Sequence, residues 1–374
     1  MDVLFTERLF RILSWTLMHS LWLGLVISMF AGVVMAISVK RTPVLRYNLL
    51  TALFFLFISG VVIIFITQFS VPDRPEEGVF YFQLVPMFSW FFKLIDVAAV
   101  YIVFVWLFVI GYKAFEIRSD LRQVYMLRNN GCKPITPATN LMFRSLCLKM
   151  NVYKQVNMME SCLIRVPVVI GHLKPVVLVP AGLLTTLPTD ELEAILLHEL
   201  AHIRRNDYLI NLVQRITEAI FFFNPALLWL SAQMRIEREH CCDDRAISIT
   251  GNKEQFVRAL ISCKEFVTAP QPYAPGFFST RSLLLARVSR IVYNRNQTVS
   301  DRAKFVLAAG IMVSVYLICS TPGILPHPQD SLPSVQVNSL LNNPVTGFHS
   351  DGITASAQRV REINYGYDQK TSSL

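Results

Sequence analysis

The feature that most limits what this chain can fold into is an apolar run at residues 12–39 that carries no formal charge. A helix needs about 20 such residues to cross the hydrocarbon core of a bilayer. The run is too long for a cleaved signal peptide, and it lacks a small-residue cleavage site after a short apolar core. Apolar runs at 49–67, 97–111 and 305–321 are also long enough, or nearly long enough, to span. We therefore expect a polytopic membrane protein, mainly α-helical, with four transmembrane helices.

Composition supports this expectation. Hydrophobic residues make up 53% of the chain and charged residues only 16%, which is typical of a membrane protein with a modest polar part. The net charge of +9 is compatible with nucleic-acid binding, but the basic residues gather beside the apolar runs, where a lipid bilayer explains them. We expect no direct contact with nucleic acid. The seven cysteines include no C-x-x-C pair, which argues against a disulfide framework and suits a reducing, cytosolic environment.

Lysine and arginine in the connecting segments predict the orientation, because these residues favour the cytosolic side. The loop after the first run is basic, 71–78 is acidic on balance, and the segment after the third run is basic again. The N-terminus is then outside, and 113–304 forms a cytosolic domain that follows a three-helix membrane domain, 1–112, and precedes the span at 305–321. The polar tail, 322–374, is predicted to lie outside and to be largely disordered.

The chemistry of the cytosolic domain is predicted from the sequence HELAH at 198–202, within a run typical of a helix. Residues four apart share one face of a helix, so the imidazoles of His198 and His202 can face one metal ion. Glu199 projects beside that ion and can reach a water molecule there, as a zinc peptidase requires. The alternative is a surface helix with two unrelated histidines. We interpret the charged residues that follow as ion-pairing residues at the helix end rather than substrate contacts: Arg204, Arg205 and Asp207.

A catalytic zinc ion needs three protein ligands and an open position, so a third ligand is required. The sequence RIEREHCCDDRA at 235–246 offers Glu239 and Asp243, four residues apart on a predicted helix. One carboxylate can bind the metal while the other accepts the free N–H of a ligating imidazole. Glu239 is the preferred ligand. The alternative ligands in this segment are Glu237, His240, Cys241 and Cys242.

Between these motifs, residues 208–233 are apolar enough to be mistaken for another membrane span. Arg215 and Glu218 lie within the run, and Asn224-Pro225 interrupts it. A spanning helix would also put the two motifs on opposite sides of the bilayer. We therefore predict two helices here, packed in the core of the domain or half-sunk in the membrane surface.

Two short strands are predicted at 163–170 and 176–179, joined by a turn. Pro167 has no backbone N–H, which favours an edge position for the first strand. An extended substrate can pair with such an edge. The predicted substrate-binding residues are Val166, Val168 and Val169. A hairpin with a purely structural role is the alternative.

The chain resembles the integral-membrane zinc metallopeptidases typified by the β-lactam-sensing antirepressors of the BlaR/MecR type. The resemblance rests on 198–246, on VPVVIGHLKPVVLVP at 166–180 and on LMHSLWLGLVI at 17–27. It implies four transmembrane helices and a cytosolic α+β domain of the zincin type, with a small β-sheet. The residues it assigns are His198, His202 and Glu239 as zinc ligands, Glu199 as the general base, and Asp243 as the carboxylate behind a ligand.

The resemblance further implies a zinc-dependent endopeptidase of a transmembrane signalling system in the bacterial inner (cytoplasmic) membrane. Its expected substrates are a cytosolic protein, a transcriptional repressor of the winged-helix class, and the chain itself; a homodimer is also expected. The family's β-lactam sensors carry a large extracellular penicillin-binding domain after the last span, whereas 322–374 has no S-x-x-K acylation motif. We expect this tail to bind a separate sensor protein. The alternatives are a non-catalytic signalling scaffold or partner-binding component, and a membrane quality-control protease.

Overall fold

The computed structural model describes residues 2–70, 89–129, 132–171, 174–268 and 280–293. Three long helices come first: α1 (Asp2–Ile37), α2 (Pro43–Ser70) and α3 (Ser89–Asn129). A mixed region follows: β1 (Cys132–Pro134), α4 (Pro137–Met150), β2 (Asn157–Ser161), β3 (Val168–Ile170) and β4 (Val176–Pro180). The remaining helices are α5 (Leu183–Thr186), α6 (Thr189–Arg205), α7 (Asp207–Ile220), α8 (Pro225–Thr250), α9 (Lys253–Thr268) and α10 (Thr280–Tyr293). The described part of the chain is thus mostly helical, with one small sheet.

The first three helices contain stretches that are long and apolar enough to cross a membrane: Phe5–Ile37, Pro43–Ser70 and Val97–Gln123. These stretches overlap the first three predicted spans. The predicted fourth span and the tail that follows it lie outside the described residues. Helix α3 has 41 residues and is about 60 Å long at 1.5 Å per residue, so it continues well beyond a bilayer. The predicted third span, 97–111, is therefore only the middle part of a longer helix.

Helices α1 and α2 pack together around large apolar side chains such as Phe54 and Phe57, which are fully buried. The same apolar cluster includes Leu227, Leu230 and Met234 from the first half of α8. Helix α8 thus enters the packed interface between two candidate membrane helices.

The connection between α7 and α8 also contacts the membrane helices. Asn224 caps α8 by accepting a hydrogen bond from the Leu227 amide, and its own amide donates to the Ser20 carbonyl of α1 at 2.8 Å. Ser20 lies near the middle of the candidate span Phe5–Ile37. The prediction of two helices interrupted at Asn224-Pro225 is confirmed, and the alternative of one spanning helix is wrong.

The sheet has the strand order β1-β2-β4-β3, in which β2 and β4 are parallel and the other two pairs are antiparallel. The predicted hairpin is confirmed, with Val168 opposite Leu178, and β3 lies at an edge. Its predicted extent of 163–170 was too long: the strand covers only Val168–Ile170. It begins directly after Pro167, which cannot donate to a strand ladder.

Helix α6 packs in the middle of the second apolar core, where Leu192, Leu196 and Leu200 are buried together with Val177 and Val179 of β4. The helix ends at Arg205 because Asn206 adopts a left-handed conformation, with φ of 57°, and its amide caps the last carbonyls. Helix α7 starts at the next residue. This sharp junction brings the start of α7 back towards the last turn of α6.

Candidate metal centre

Three of the predicted residues converge in space. Helix α6 contributes His198 and His202, helix α8 contributes Glu239, and each offers one ligand atom within 4.8 Å of the others. Nε2 of His198 lies 3.5 Å from Glu239 Oε2, and Nε2 of His202 lies 3.9 Å from Oε1. The imidazole of His198 is nearly buried, whereas the Glu239 side chain is 32% exposed. The cluster therefore combines a buried interior with an opening to the surface.

Two of the alternative ligands of the α8 segment, Glu237 and His240, are directed away from the cluster. Glu237 is 1% exposed and pairs with Arg46 of α2 at 3.0 Å. His240 is also buried and has its Nδ1 3.6 Å from Glu237. Successive residues of an α-helix are rotated by about 100°, so Glu237 and Glu239 cannot face the same site. Neither Glu237 nor His240 belongs to the histidine cluster in the structure.

The cysteines of this segment are also separate from the three converging ligand atoms. Cys242 is buried with its Sγ 3.4 Å from Nδ1 of His202, which is the nitrogen directed away from Glu239. Cys241 is buried, and burial raises the pKa of its thiol to about 11. Cys242 thus lies behind the cluster rather than at its opening.

Asp243 lies behind His198. Its Oδ1 faces Nδ1 of His198 at 3.1 Å, and the carboxylate is fully buried. It also accepts two hydrogen bonds from Arg287 of α10, from Nε at 3.0 Å and from Nη2 at 2.5 Å. Burial alone would raise the pKa of Asp243, but Arg287 and His198 hold it well below its usual range. Asp243 is therefore an anion that fixes the orientation of the His198 ring.

Asp207 plays the same part for His202, and the sequence interpretation missed it. Its Oδ2 lies 2.8 Å from Nδ1 of His202, while Oδ1 accepts from Arg205 at 3.3 Å. The expected ion pair with Arg205 is present, but the contact with the imidazole is the more consequential one. One sequence feature could have indicated this contact. Asp207 directly follows Asn206, which ends α6, and the next helix folds back towards the histidines of α6.

Arg287 is the second residue that the sequence did not identify. Besides holding Asp243, it has Nη1 3.7 Å from Glu239 Oε2. It lies 44 residues after Asp243, on α10, and no spacing pattern connects the two. Its guanidinium places one positive charge between two carboxylates of the site.

The electrostatics of the cluster follow from these contacts. Burial would lower the pKa of His198, but the carboxylates of Asp243 and Glu239 raise it to about 9. Burial would raise the pKa of Glu239, but the adjacent imidazoles and Arg287 lower it to about 2. For Glu199 burial dominates, so its pKa is raised despite the two nearby imidazoles. The Glu239 side chain is therefore a carboxylate anion, which suits a metal ligand. Glu199 is a weaker acid than an ordinary glutamate, which suits a group that exchanges a proton.

The edge strand contacts α6, the helix that carries His198 and His202. Val169 packs against the apolar core that contains α6, and Val168 packs against a smaller apolar cluster on the opposite face of the sheet. Val166 precedes Pro167, is 49% exposed and lies outside the strand. A peptide at this edge would therefore pair with the backbone of β3, because the side chains of Val168 and Val169 already have partners.

Comparison with known proteins gives consistent results. A family described as BlaR1 peptidase M56 matches residues 3–291. The Methicillin resistance mecR1 protein of Staphylococcus aureus (strain Mu50 / ATCC 700699) is 25% identical over 236 residues, which is 61% of this chain and 39% of that protein. The Regulatory protein BlaR1 of Bacillus licheniformis is 28% identical over 188 residues, 49% of this chain and 31% of that protein. The chain thus spans no more than about two fifths of the length of these relatives. The family match covers most of the chain, which therefore belongs to the BlaR1 peptidase M56 family of membrane-embedded metallopeptidases found in signalling proteins.

Proposed function

We propose that the chain is a zinc-dependent endopeptidase of the zincin type, with zinc held by His198, His202 and Glu239 and with Glu199 as the general base. The observation that carries the proposal is the convergence of these three ligand atoms within 4.8 Å of one another. Each imidazole also has a carboxylate behind it, at Nδ1, which is how proteins orient histidine ligands.

The ligand set fits zinc. Two imidazole nitrogens and one carboxylate oxygen are the ligands of a common class of catalytic zinc site, which keeps one position open. Because Asp243 and Asp207 face the Nδ1 atoms, both Nε2 atoms are directed towards Glu239 and can bind a metal. Zinc bound there would supply Lewis acidity, polarising a scissile carbonyl and acidifying a water molecule.

Glu199 moves the proton in this mechanism. Burial raises its pKa, which brings a carboxyl group closer to the working range of a general base at neutral pH. Glu199 takes a proton from the attacking water and later gives it to the leaving amine. Asp207 and Asp243 keep both imidazoles in one tautomer and orientation, and Arg287 compensates the negative charge of Asp243 and Glu239.

The substrate side of the proposal rests on the edge strand. An extended peptide would add to β3 by backbone hydrogen bonds and lie beside α6. We propose a cytosolic protein as substrate, namely a winged-helix transcriptional repressor, and cleavage of the chain itself. The relatives' names, Regulatory protein BlaR1 and Methicillin resistance mecR1 protein, support a role in a signalling system.

The proposed setting is the bacterial cytoplasmic membrane, with four transmembrane helices, both termini outside and the zinc site in the cytosol. The basic first loop and the basic segment after the third run support this orientation. A homodimer and a separate sensor protein bound through 322–374 complete the proposed assembly. A signalling scaffold without catalysis and a quality-control protease remain the competing proposals.

The test uses Glu199→Gln in the full chain reconstituted in lipid nanodiscs. The variant should bind one zinc ion, measured by plasma mass spectrometry, but cleave no peptide of a proteome-derived library. Glu193→Gln, on the same helix and outside the cluster, is the matched control and should cleave normally. Proteins trapped by Glu199→Gln and identified by mass spectrometry would give the substrate class.

Full peptidase activity in Glu199→Gln would refute the role of Glu199 as general base. If the chain without substitutions binds no zinc, the metal assignment is refuted. His202→Ala separates the scaffold alternative: if this variant loses zinc but still signals in cells, catalysis is incidental. A trapped set with many unrelated misfolded proteins would favour quality control instead.

A further inference from the structure

A buried ion pair joins a candidate membrane helix to the helix that carries Glu239. Arg46, in the first turn of α2, has Nη2 3.0 Å from Oε1 of Glu237 in α8. The two side chains are 0% and 1% exposed. Glu237 precedes Glu239 by two residues. The pair is therefore next to the candidate metal centre but on another face of α8.

Such a pair is not explained by stability. Taking two charges out of water costs about as much as their attraction returns, so well-packed apolar residues usually serve a core as well or better. The best-attested use of a buried ion pair is instead to fix how two elements fit together. Arg46 also contacts the sulfur of Met35 in α1 at 3.2 Å, so the pair reaches both of the packed membrane helices.

Helix α8 itself connects the two regions. Its first half, with Leu227, Leu230 and Met234, packs between α1 and α2, and its second half carries Glu239 and Asp243. It is one uninterrupted helix from Pro225 to Thr250, and each residue adds about 1.5 Å along a stiff rod. The position of Glu239 therefore depends on how α8 is held against α1 and α2.

We propose that Arg46 is a positioning residue, which sets the position of Glu239 through Glu237 and so couples the packing of α1 and α2 to zinc binding. This inference rests on the proposed function of the site. A shift of α2 relative to α8 changes the strength of the metal site, and by linkage zinc binding changes the stability of the first turns of α2.

The test compares the unchanged chain with the double variant Arg46→Met/Glu237→Met in nanodiscs. Removing both charges together avoids leaving one of them buried without a partner. Zinc affinity is measured by competition with a chromophoric chelator, and hydrogen exchange of residues 43–50 is measured with and without zinc. The double variant should unfold at a similar temperature, bind zinc about 10-fold more weakly, and show no zinc-dependent protection of residues 43–50.

The matched control is Arg215→Met/Asp120→Asn. This pair also links a membrane helix, α3, to the catalytic part, with 2.8 Å between Arg215 Nη2 and Asp120 Oδ2. Both side chains are about half exposed, so the pair contributes little and lies on no path to Glu239. The control should keep both the zinc affinity and the zinc-dependent protection of residues 43–50.

Three results would overturn the inference. If the double variant keeps wild-type zinc affinity and zinc-dependent protection, the ion pair has only a structural role. The inference then fails, while the proposed function of the site is unaffected. If the unchanged chain binds no zinc, the proposed function fails and takes the inference with it. Should the double variant not fold, Glu237→Gln removes the ion pair while keeping the shape of the side chain, and unchanged zinc affinity and zinc-dependent protection in that variant would equally overturn the inference.

Discussion

Asp243→Asn gives the sharpest test of how the carboxylates behind the imidazoles work. Asp243 is fully buried; its Oδ1 faces both His198 Nδ1 and Arg287 Nη2, and its Oδ2 accepts from Arg287 Nε. Asparagine has nearly the same shape but only one oxygen. Whichever way the amide is turned, an NH₂ group faces an N–H donor at a fully buried position, and Arg287 loses a buried counter-charge.

The expected magnitudes follow from this geometry. Removing one partner of a buried ion pair costs about 3–5 kcal/mol of unfolding free energy. Arg287 keeps Glu239 at 3.7 Å, so we expect the lower end, about 3 kcal/mol. Loss of a carboxylate behind a histidine ligand weakens metal binding by about 10–100-fold. The two effects are separable, because the first is present without metal.

The assay has two arms and a matched control. Unfolding of the metal-free chain is followed by circular dichroism in detergent, and zinc affinity is measured by chelator competition. Asp244→Asn makes the same chemical change one residue later, where Asp244 is 45% exposed and pairs with Arg290 at 2.6 Å. The control should change zinc affinity little, because Asp244 pairs with Arg290 and not with an imidazole. Because Arg290 is only 7% exposed, the control should also lower the unfolding free energy, so zinc affinity is the quantity that separates the two variants. If Asp243→Asn binds zinc within about threefold of the unchanged chain, the orienting role is refuted.

Two further predictions concern packing and thiol chemistry. A Cβ at Gly24 would lie 2.4 Å from the side-chain amide nitrogen of Asn224. Gly24→Ala should therefore disrupt the cap of α8 and lower the unfolding free energy, measured by thermal unfolding, by about 1–3 kcal/mol. A Cβ at Gly111 would meet no atom within 4 Å, so Gly111→Ala should leave the unfolding free energy unchanged or raise it slightly. If Gly24→Ala and Gly111→Ala lost the same unfolding free energy, the close contact between Gly24 and Asn224 would be refuted. Burial raises the pKa of the Cys147 thiol to about 11, whereas Cys162 is exposed. Maleimide at pH 7.5 should therefore modify Cys162 much faster than Cys147 in the folded chain, as measured by peptide mass spectrometry. In denaturant, both cysteines should react at the same rate.

The part of the site that could be predicted from sequence is the part encoded by spacing within single helices. His198 and His202 share a face because they are four residues apart, and the same rule places Glu239 and Asp243 together. The three ligand atoms converge as the family resemblance implied. The choice among the acids of α8 could not be made by spacing alone, because Glu237 is as close in sequence to the motif as Glu239 is.

Contacts between elements were harder to predict, for a physical reason. Asp207 reaches His202 only because Asn206 adopts a left-handed conformation and reverses the chain, and a helix-end acid is usually just an ion-pairing residue. Arg287 meets Asp243 across 44 residues, without any periodic pattern. Such encounters depend on tertiary packing, which a single sequence does not display.

The fold shows the same division. Apolar runs predicted four membrane helices, of which three overlap candidate spans in the described residues and the fourth lies outside them. Asn224-Pro225 predicted the break between α7 and α8. The strands β1 and β2 were missed because CKP and NMMES lack alternation and contain residues that disfavour strands. They exist because β4 offers an apolar, fully buried partner for β2, and β1 pairs with β2 in turn.

Three acids of α8 face three different neighbours around the helix. Glu237 faces Arg46 of α2, Glu239 faces the histidines of α6, and Asp244 faces Arg290 of α10. A helix with so many charges could lie in a mostly buried position only if each charge met a partner, because an unpaired buried charge is very costly. The same requirement fixes the rotation of α8 about its axis to within a fraction of a turn. We therefore expect the position of the Glu239 carboxylate to depend both on the candidate membrane helices and on the histidine cluster.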